Sequence, residues 1–185
     1  MDIGVGTGRN SKILLEKGMK VYGVDISEKM MERAKEKLHR KKIKFILADV
    51  GKEIPFKDNY FNFIICFRVL KYIPNWKKTI KEVSRTLKGG GIFLLEIPNF
   101  YSISYFGTNK ANYYLFRFNE IKKFIKNLNF DIVEIKGGTR FPFIIYEKIN
   151  NIPLISLMKT IERILDFLFP KTFLSRNILL FLKKK

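Results

Sequence analysis

The stretch Met1-Asp2-Ile3-Gly4-Val5-Gly6-Thr7-Gly8 decides the fold of this chain of 185 residues. Its glycines carry no Cβ atom and tolerate positive φ, so a ligand can approach the backbone of the turn closely. The apolar run Val21-Tyr22-Gly23-Val24 follows and ends in Asp25, where a carboxylate can accept hydrogen bonds from a ribose diol. The 17 residues from Gly8 to Asp25 leave room for one helix and a tight return, which predicts a β-α-β unit.

The spacing of the glycines separates two classes of nucleotide site. Dinucleotide-binding folds use G-x-G-x-x-G, whereas Gly4, Gly6 and Gly8 give G-x-G-x-G. Arg9 stands where the third glycine of the dinucleotide pattern would fall. A nicotinamide-dependent oxidoreductase is therefore disfavoured, and for these residues alone a purely structural turn stays an alternative.

The composition predicts one globular domain with an ordinary core. Hydrophobic residues make up 46% of the chain and charged residues 29%. Cys66 and His39 are the single cysteine and histidine, which leaves too few soft ligands for a zinc site. We expect Cys66 to be a buried strand residue. The N-terminus has no secretory pattern and no run of 18 apolar residues occurs, so we expect a cytoplasmic protein.

The net charge of +19 fits an anionic partner or surface, and it fits equally a compositional bias of the genome, since the chain is also rich in Ile, Asn and Phe. Lysines are spread along the whole chain and no RNA-binding motif is present, so a nucleic-acid partner is disfavoured. Peripheral contact with an anionic membrane is the alternative that the charge leaves open.

Alternating strand and helix patterns predict an α/β fold with a doubly wound, mostly parallel sheet and helices on both faces. Strands are predicted over residues 21–25, 44–48, 61–66, 92–96, 130–135 and 177–183. Helices are predicted over residues 7–17, after the cap Ser27, along the stripe Trp76, Ile80, Val83 and Leu87, after the cap Asn119, and over residues 153–169. Gly89-Gly90-Gly91 is predicted to break the third helix.

Five segments in order resemble the class I S-adenosylmethionine-dependent methyltransferases, in their UbiE-like branch (methyltransferase type 11), across residues 2–98. The segments are Asp2-Ile3-Gly4-Val5-Gly6-Thr7-Gly8, Val21-Tyr22-Gly23-Val24-Asp25-Ile26-Ser27, Ala48-Asp49, Ile54-Pro55-Phe56-Lys57-Asp58-Asn59-Tyr60-Phe61 and Val83-Ser84-Arg85-Thr86-Leu87-Lys88-Gly89-Gly90-Gly91. The resemblance implies S-adenosylmethionine as the cofactor and methyl transfer to a small or lipid-like acceptor.

The resemblance also implies a set of cofactor-binding residues. They are Asp2, Gly4, Gly6, Gly8, Asp25, Ile26, Asp49, Val50, Phe67 and Arg68. In this assignment Asp25 binds both ribose hydroxyls and Asp49 accepts a hydrogen bond from the adenine amino group, while Ile26 and Val50 pack on the ring. Asp2 and Gly4 lie near the methionine end, and Phe67 and Arg68 lie near the sulfonium and the methionine carboxylate.

The chain is expected to divide into a cofactor-binding half, residues 1–98, and an acceptor or cap half, residues 99–185, within a single domain. Residues 99–109 hold no charged residue and four aromatic ones, which predicts a loop or cap over the carboxyl ends of the strands. Together with the amphipathic helix over residues 153–169, this apolar cap favours a prenyl- or acyl-bearing acceptor; the alternative is that the helix only covers the sheet.

Three departures from the family pattern leave a second hypothesis open. Asn62 replaces an aspartate, and Leu70-Lys71-Tyr72-Ile73 replaces a histidine-containing segment, so we assign no catalytic base. Only Met1-Asp2-Ile3 precedes the glycine motif, so we expect a truncated first strand and a pocket open on one side. The alternative is a non-catalytic remnant of the fold that binds a partner or a membrane surface.

Overall fold

The computed structural model describes residues 1–38, 42–105, 114–139, 152–170 and 172–185. His39 and the later part of the predicted cap, residues 106–109, lie outside these ranges.

A seven-stranded sheet with the order β3-β2-β1-β4-β5-β7-β6 forms the centre of the molecule. The strands are β1 Asp2–Ile3, β2 Val21–Asp25, β3 Ile43–Leu47, β4 Phe61–Phe67, β5 Leu87–Pro98, β6 Phe130–Gly137 and β7 Asn177–Lys184. Strands β1 to β5 pair in parallel, and β7 is antiparallel to both of its neighbours. The predicted doubly wound, mostly parallel sheet is confirmed.

Five helices connect the strands in the described residues. They are α1 Arg9–Glu16, α2 Glu28–Leu38, α3 Trp76–Thr86, α4 Phe118–Lys126 and α5 Ile152–Leu168. The amide of Met30 donates to Ser27 Oγ at 3.3 Å, which fits the predicted cap of α2. Gly18 has φ 75°, as a residue that ends a helix in the left-handed conformation requires.

The predicted apolar stripe of α3 faces the core, but the break after it differs from expectation. Trp76, Ile80 and Val83 are buried. The helix ends at Thr86, and the strand begins directly at Leu87, so the three glycines lie inside β5 and do not form the break. The pairing of β4 with β5 jumps from Phe61↔Leu87 to Phe63↔Ile92. The glycines are therefore the extra residues of an irregularity in the strand.

The prediction that Asn119 caps α4 is wrong. The residue before the helix is Arg117, in an extended conformation, and Asn119 is in the first turn. Phe116, which precedes Arg117, is hydrogen-bonded to the carboxyl end of β5. Its amide donates to Pro98 O at 3.0 Å, and its carbonyl accepts from the amide of Phe100 at 3.0 Å. This extended segment fixes where the helix can begin, and no capping side chain is needed.

The strand order reverses beside β1, and this reversal positions the candidate site. The chain winds from β1 through β2 to β3 in one direction and then continues with β4 on the other side of β1. The connections that leave β1 and β4 therefore diverge at their carboxyl ends, and a crevice forms between them, where ligands of such sheets bind.

Helix α5 carries much of the exposed apolar surface of the molecule. Met158 is buried, whereas Leu157 is 55% exposed and Phe167 is 89% exposed. Among the described residues, no helix combines the length and the hydrophobicity that a bilayer crossing requires.

Arg85 on α3 ties the loop before β4 to the helix. Its guanidinium donates to Glu82 Oε2 at 2.7 Å, to the carbonyls of Phe56 and Ile54 at 2.8 and 3.0 Å, and to Asp58 Oδ1 at 2.7 Å. The same contacts hold the pKa of Glu82 below its usual value of 4.5.

We expect Arg85→Gln to lower the free energy of unfolding by about 2 kcal/mol and the Tm by about 4–8 °C, because charged hydrogen bonds are lost. The loss should shrink as the pH falls through the pKa of Glu82, since a carboxyl group with a depressed pKa stabilises the fold only while it is ionised. Urea unfolding at neutral and acid pH measures both effects. Lys81→Gln, at an exposed position of the same helix, is the matched control. Equal stability of the two variants would contradict this role of Arg85.

Candidate active site

A cavity of about 780 Å³ lies in the crevice at the carboxyl ends of β1, β2, β3 and β4. Its wall combines the glycine turn after β1, the end of β2, the segment after β3 and residues 67–75 after β4. Eight of the ten predicted cofactor-binding residues line it, namely Gly4, Gly6, Asp25, Ile26, Asp49, Val50, Phe67 and Arg68. The two exceptions are Asp2, which is in β1, and Gly8, which precedes α1.

The glycine turn adopts positive φ at each glycine. Gly4, Gly6 and Gly8 have φ of 71°, 51° and 81°. The amides of Gly4 and Val5 both donate to Val24 O, at 2.8 and 3.1 Å, which folds the turn back onto β2. A Cβ atom on Gly4 would overlap Cγ2 of Val69. The turn therefore needs glycine both for its backbone conformation and for its packing.

Asp25 ends β2 with a carboxylate that two backbone amides orient. Gly6 N donates to Oδ2 at 2.8 Å and Ser27 N donates to Oδ1 at 2.9 Å. Each carboxylate oxygen can accept a second hydrogen bond, and the residue lines the cavity. Asp25 can therefore accept from two neighbouring hydroxyl groups without losing its own support.

Asp49 lies in the segment after β3, which forms another part of the cavity wall. Asp49 Oδ1 accepts from Gly51 N at 2.9 Å, and Thr79 Oγ1 donates to Val50 O at 3.1 Å, so the segment after β3 is fixed from two sides. Val50 is buried, whereas Ile26 is 69% exposed, and both line the cavity. A carboxylate that accepts hydrogen bonds, together with two apolar side chains in the same cavity wall, suits a flat heterocycle that carries an amino group.

Asp2 lies beneath the turn in β1 and is 1% exposed. Its Oδ2 accepts from Ser11 Oγ at 2.7 Å, and its Oδ1 has no hydrogen-bond partner within the described part of the chain. Burial raises the pKa of Asp2 to about 6, although the Ser11 hydroxyl opposes this shift. A buried carboxylate oxygen without a donor favours a cationic group nearby.

Gly8 has a packing role in this structure. It precedes α1, and a Cβ atom on it would lie 2.7 Å from Cδ1 of Leu38 on α2. The glycine therefore allows α1 and α2 to approach each other, and it does not line the cavity.

Residues that the sequence pattern missed come mainly from the segment after β4. Lys71, Tyr72, Ile73, Pro74 and Asn75 line the cavity. A short 3-10 turn at Leu70–Tyr72 directs this segment over the crevice. The signal that could have found them is their position directly after a central parallel strand.

Asn62, which departs from the family pattern, lies far from this chemistry. It is exposed near the amino end of β4, where Lys88 Nζ donates to its Oδ1 at 3.3 Å. The cavity is at the carboxyl end of the same strand. The substitution therefore does not bear on the site, whereas the replaced segment at residues 70–73 contributes to its wall.

A family model described as a methyltransferase domain matches residues 1–95. The chain belongs to the methyltransferase type 11 family. Over 97 residues it is 41% identical to an uncharacterized protein of Methanocaldococcus jannaschii, and the match covers 52% of this chain and 43% of that protein.

Two relatives with named activities each match about half of the chain. A sterol 4-C-methyltransferase of Caenorhabditis elegans is 37% identical over 51% of this chain and 29% of that protein. A demethylmenaquinone methyltransferase of Staphylococcus aureus is 35% identical over 50% of this chain and 39% of that protein. The chain thus spans less than half the length of these curated relatives.

The fold is similar to solved structures of the same class. An S-adenosylmethionine-dependent methyltransferase from Mesorhizobium loti superposes with a TM-score of 0.73 at 15% identity, and the match covers 99% of this chain and 89% of that one. S-adenosylmethionine is therefore the cofactor that the family assigns to this chain. The residues present fit this group, because the cavity offers two carboxylates oriented by backbone amides, the apolar side chains of Ile26 and Val50, and a glycine-rich turn.

The packing of the glycine turn can be tested with a matched pair of glycines. Gly4 and Gly18 both have positive φ, but a Cβ atom on Gly18 would meet nothing within 4 Å. We expect Gly4→Ala to cost about 1–3 kcal/mol more than Gly18→Ala, because Val69 must move. In a Val69→Ala background most of this excess should disappear. Urea unfolding of the four variants measures it, and an excess that persists without the valine side chain would contradict the explanation.

Proposed function

We propose that this chain is an S-adenosylmethionine-dependent methyltransferase that holds its cofactor in the cavity at the carboxyl ends of β1 to β4. The observation that carries the proposal is the carboxylate of Asp25. Both of its oxygens are oriented by backbone amides, at 2.8 and 2.9 Å, and both retain capacity for a ribose diol.

The roles proposed for the other residues follow from their positions around the cavity. Asp49 would accept from the adenine amino group, and Ile26 and Val50 would contact the ring faces. Gly4 and Gly6 would leave room for the methionine part, and the unpartnered Oδ1 of Asp2 would favour its ammonium group from beneath the turn. Phe67 and Arg68 would lie at the end of the cavity away from Asp49.

Bound in this way, the cofactor supplies a methyl group on a positively charged sulfur, which is already an activated leaving group. The protein then has to align the acceptor with that methyl group and exclude water. We propose no general base from the cavity, because the carboxylates of Asp25 and Asp49 already accept backbone hydrogen bonds and serve the cofactor.

We expect Asp25→Ala to weaken binding of S-adenosylhomocysteine by about 2–4 kcal/mol, roughly 30- to 1000-fold, because two charge-assisted hydrogen bonds are lost. Calorimetric titration measures the affinity, and thermal unfolding verifies that the variant is folded. Glu32→Ala, which removes an exposed carboxylate from α2, should bind as the unmodified protein does.

Unchanged affinity in a folded Asp25→Ala protein would overturn the assignment of Asp25. Absence of any binding by the unmodified chain would favour the alternative function, a non-catalytic protein that retains the methyltransferase fold.

We further propose a small or lipid-like acceptor that the enzyme meets at an anionic membrane surface. Exposed apolar side chains along α5 include Leu154, Leu157, Ile161, Ile164 and Phe167. Lys159 and Arg163 are exposed on the same helix, and the chain carries a net charge of +19. The helix also carries Glu162 and Asp166, so it is the exposed apolar stripe, together with the net charge of the whole chain, that favours contact with anionic lipids. The sterol and quinone methyltransferases among the relatives support an apolar acceptor.

We expect Leu157→Ser to weaken binding to vesicles that contain anionic lipid by about tenfold or more, because an inserted leucine side chain contributes about 1.5 kcal/mol or more. Leu47→Ser is the matched control, since Leu47 has the same type of side chain and is 56% exposed on β3, against 55% for Leu157. Sedimentation with anionic and neutral vesicles at low and high salt measures the binding. Equal loss in both variants, or binding to neither kind of vesicle, would contradict the role of α5.

A further inference from the structure

A second cavity, of about 370 Å³, adjoins the first at the carboxyl end of β4. Phe67, Arg68 and Lys71 line both cavities, so the segment after β4 is their common wall. The remaining lining residues are Arg9, Asn10, Glu96, Ile97, Pro98, Tyr105, Arg176 and Asn177. This second cavity is lined mainly by polar side chains, whereas the first also has apolar side chains that suit a heterocycle.

Positive charge dominates the second cavity. Arg9 begins α1, Arg68 follows β4 and Arg176 precedes β7, so three distant parts of the chain each contribute a guanidinium group. Lys71 adds a fourth positive charge, and Glu96 is the one carboxylate in the wall. None of the three arginines forms an ion pair with a carboxylate in the described parts of the chain. Guanidinium groups that line one cavity and outnumber its carboxylates suit an oxyanion.

The single carboxylate is held against the sheet by its own hydrogen-bond chain. Tyr105 Oη donates to Asn177 Oδ1 at 2.9 Å, and Asn177 Nδ2 donates to Glu96 Oε1 at 2.6 Å. Burial raises the pKa of Glu96, and the nearby charge of Arg68 opposes this shift. Glu96 is therefore oriented by an amide, and when it is ionised it offsets one of the four positive charges and leaves an excess of three.

We propose that the second cavity binds a phosphate group of the methyl acceptor, with Arg9 and Arg176 as its specific ligands and Arg68 between the two cavities. This inference rests on the proposed function and deepens it, because it assigns the acceptor a phosphate ester next to the methyl-bearing end of the cofactor site. A doubly charged phosphate matches the charge excess better than a single carboxylate does. The phosphate belongs either to a soluble ester or to a lipid headgroup.

The experiment uses glycerol 3-phosphate as the probe and titrates it by calorimetry into the full chain at constant ionic strength, with and without saturating S-adenosylhomocysteine. Arg9→Gln and Arg176→Gln should each weaken phosphate binding about tenfold or more, since a charge-assisted hydrogen bond is lost. Arg33→Gln removes an exposed arginine from α2 and is the matched control. Acetate should bind more weakly than the phosphate ester to the unmodified chain.

Arg9 and Arg176 line only the second cavity, so both variants should retain the affinity of the unmodified protein for S-adenosylhomocysteine. This readout separates the two proposals. If neither the unmodified chain nor any variant binds S-adenosylhomocysteine, the proposed function is rejected, whereas the phosphate titration still tests the second cavity by itself. Equal phosphate affinity in Arg9→Gln, Arg176→Gln and Arg33→Gln would overturn the inference, since the net charge alone would then explain the binding.

A second arm identifies the source of the phosphate. Vesicles of phosphatidylcholine with phosphatidic acid are sedimented with the chain in the absence and presence of glycerol 3-phosphate. Arg176-dependent sedimentation that the soluble ester displaces supports a lipid headgroup in the cavity. Sedimentation that is identical for Arg176→Gln and Arg33→Gln, together with Arg176-dependent binding of the soluble ester, supports a soluble acceptor.

Discussion

The pairing of β1 between β2 and β4 is the constraint on which the rest of the structure depends. This strand has only two residues, yet Ile3 is fully buried and pairs with Val24 on one side and Cys66 on the other. The turn after it is bound to the same neighbour, because the amide of Gly4 donates to Val24 O. The position of the glycine turn, and of every group that the turn orients, therefore follows from two short backbone ladders.

Asp25 shows how fold and binding share one side chain. Its carboxylate joins the glycine turn to the start of α2, since it accepts from Gly6 N and Ser27 N. These hydrogen bonds also orient the carboxylate oxygens before a ligand binds, which lowers the entropic cost of binding. A residue in this double position links the stability of the turn to the affinity of the site.

The sequence predicted those parts of the site that depend on local order along the chain. Asp25 was predicted from its position at the end of an apolar strand and Asp49 from the family resemblance, and both line the cavity because parallel strands bring such ends to one side of the sheet. Arg176 could not be predicted, because its place beside the cavity depends on the antiparallel pairing of β7 with β5. The glycines at 89–91 were misplaced for the same reason, since only the register with β4 reveals the irregularity there.

The second cavity is more strongly basic than the first, and Arg68 stands between them with φ 61°, a conformation that is uncommon outside glycine. The first cavity holds the carboxylates of Asp25 and Asp49 together with Lys52, Arg68 and Lys71, whereas the second holds Glu96 as its one carboxylate together with Arg9, Arg68, Lys71 and Arg176. An anionic acceptor would be attracted to the second cavity, and Arg68 and Lys71 of the shared wall add to that attraction. The charge pattern thus favours an acceptor whose anionic end lies in the second cavity and whose other end faces the first cavity, which is the orientation that alignment with a methyl donor in the first cavity requires.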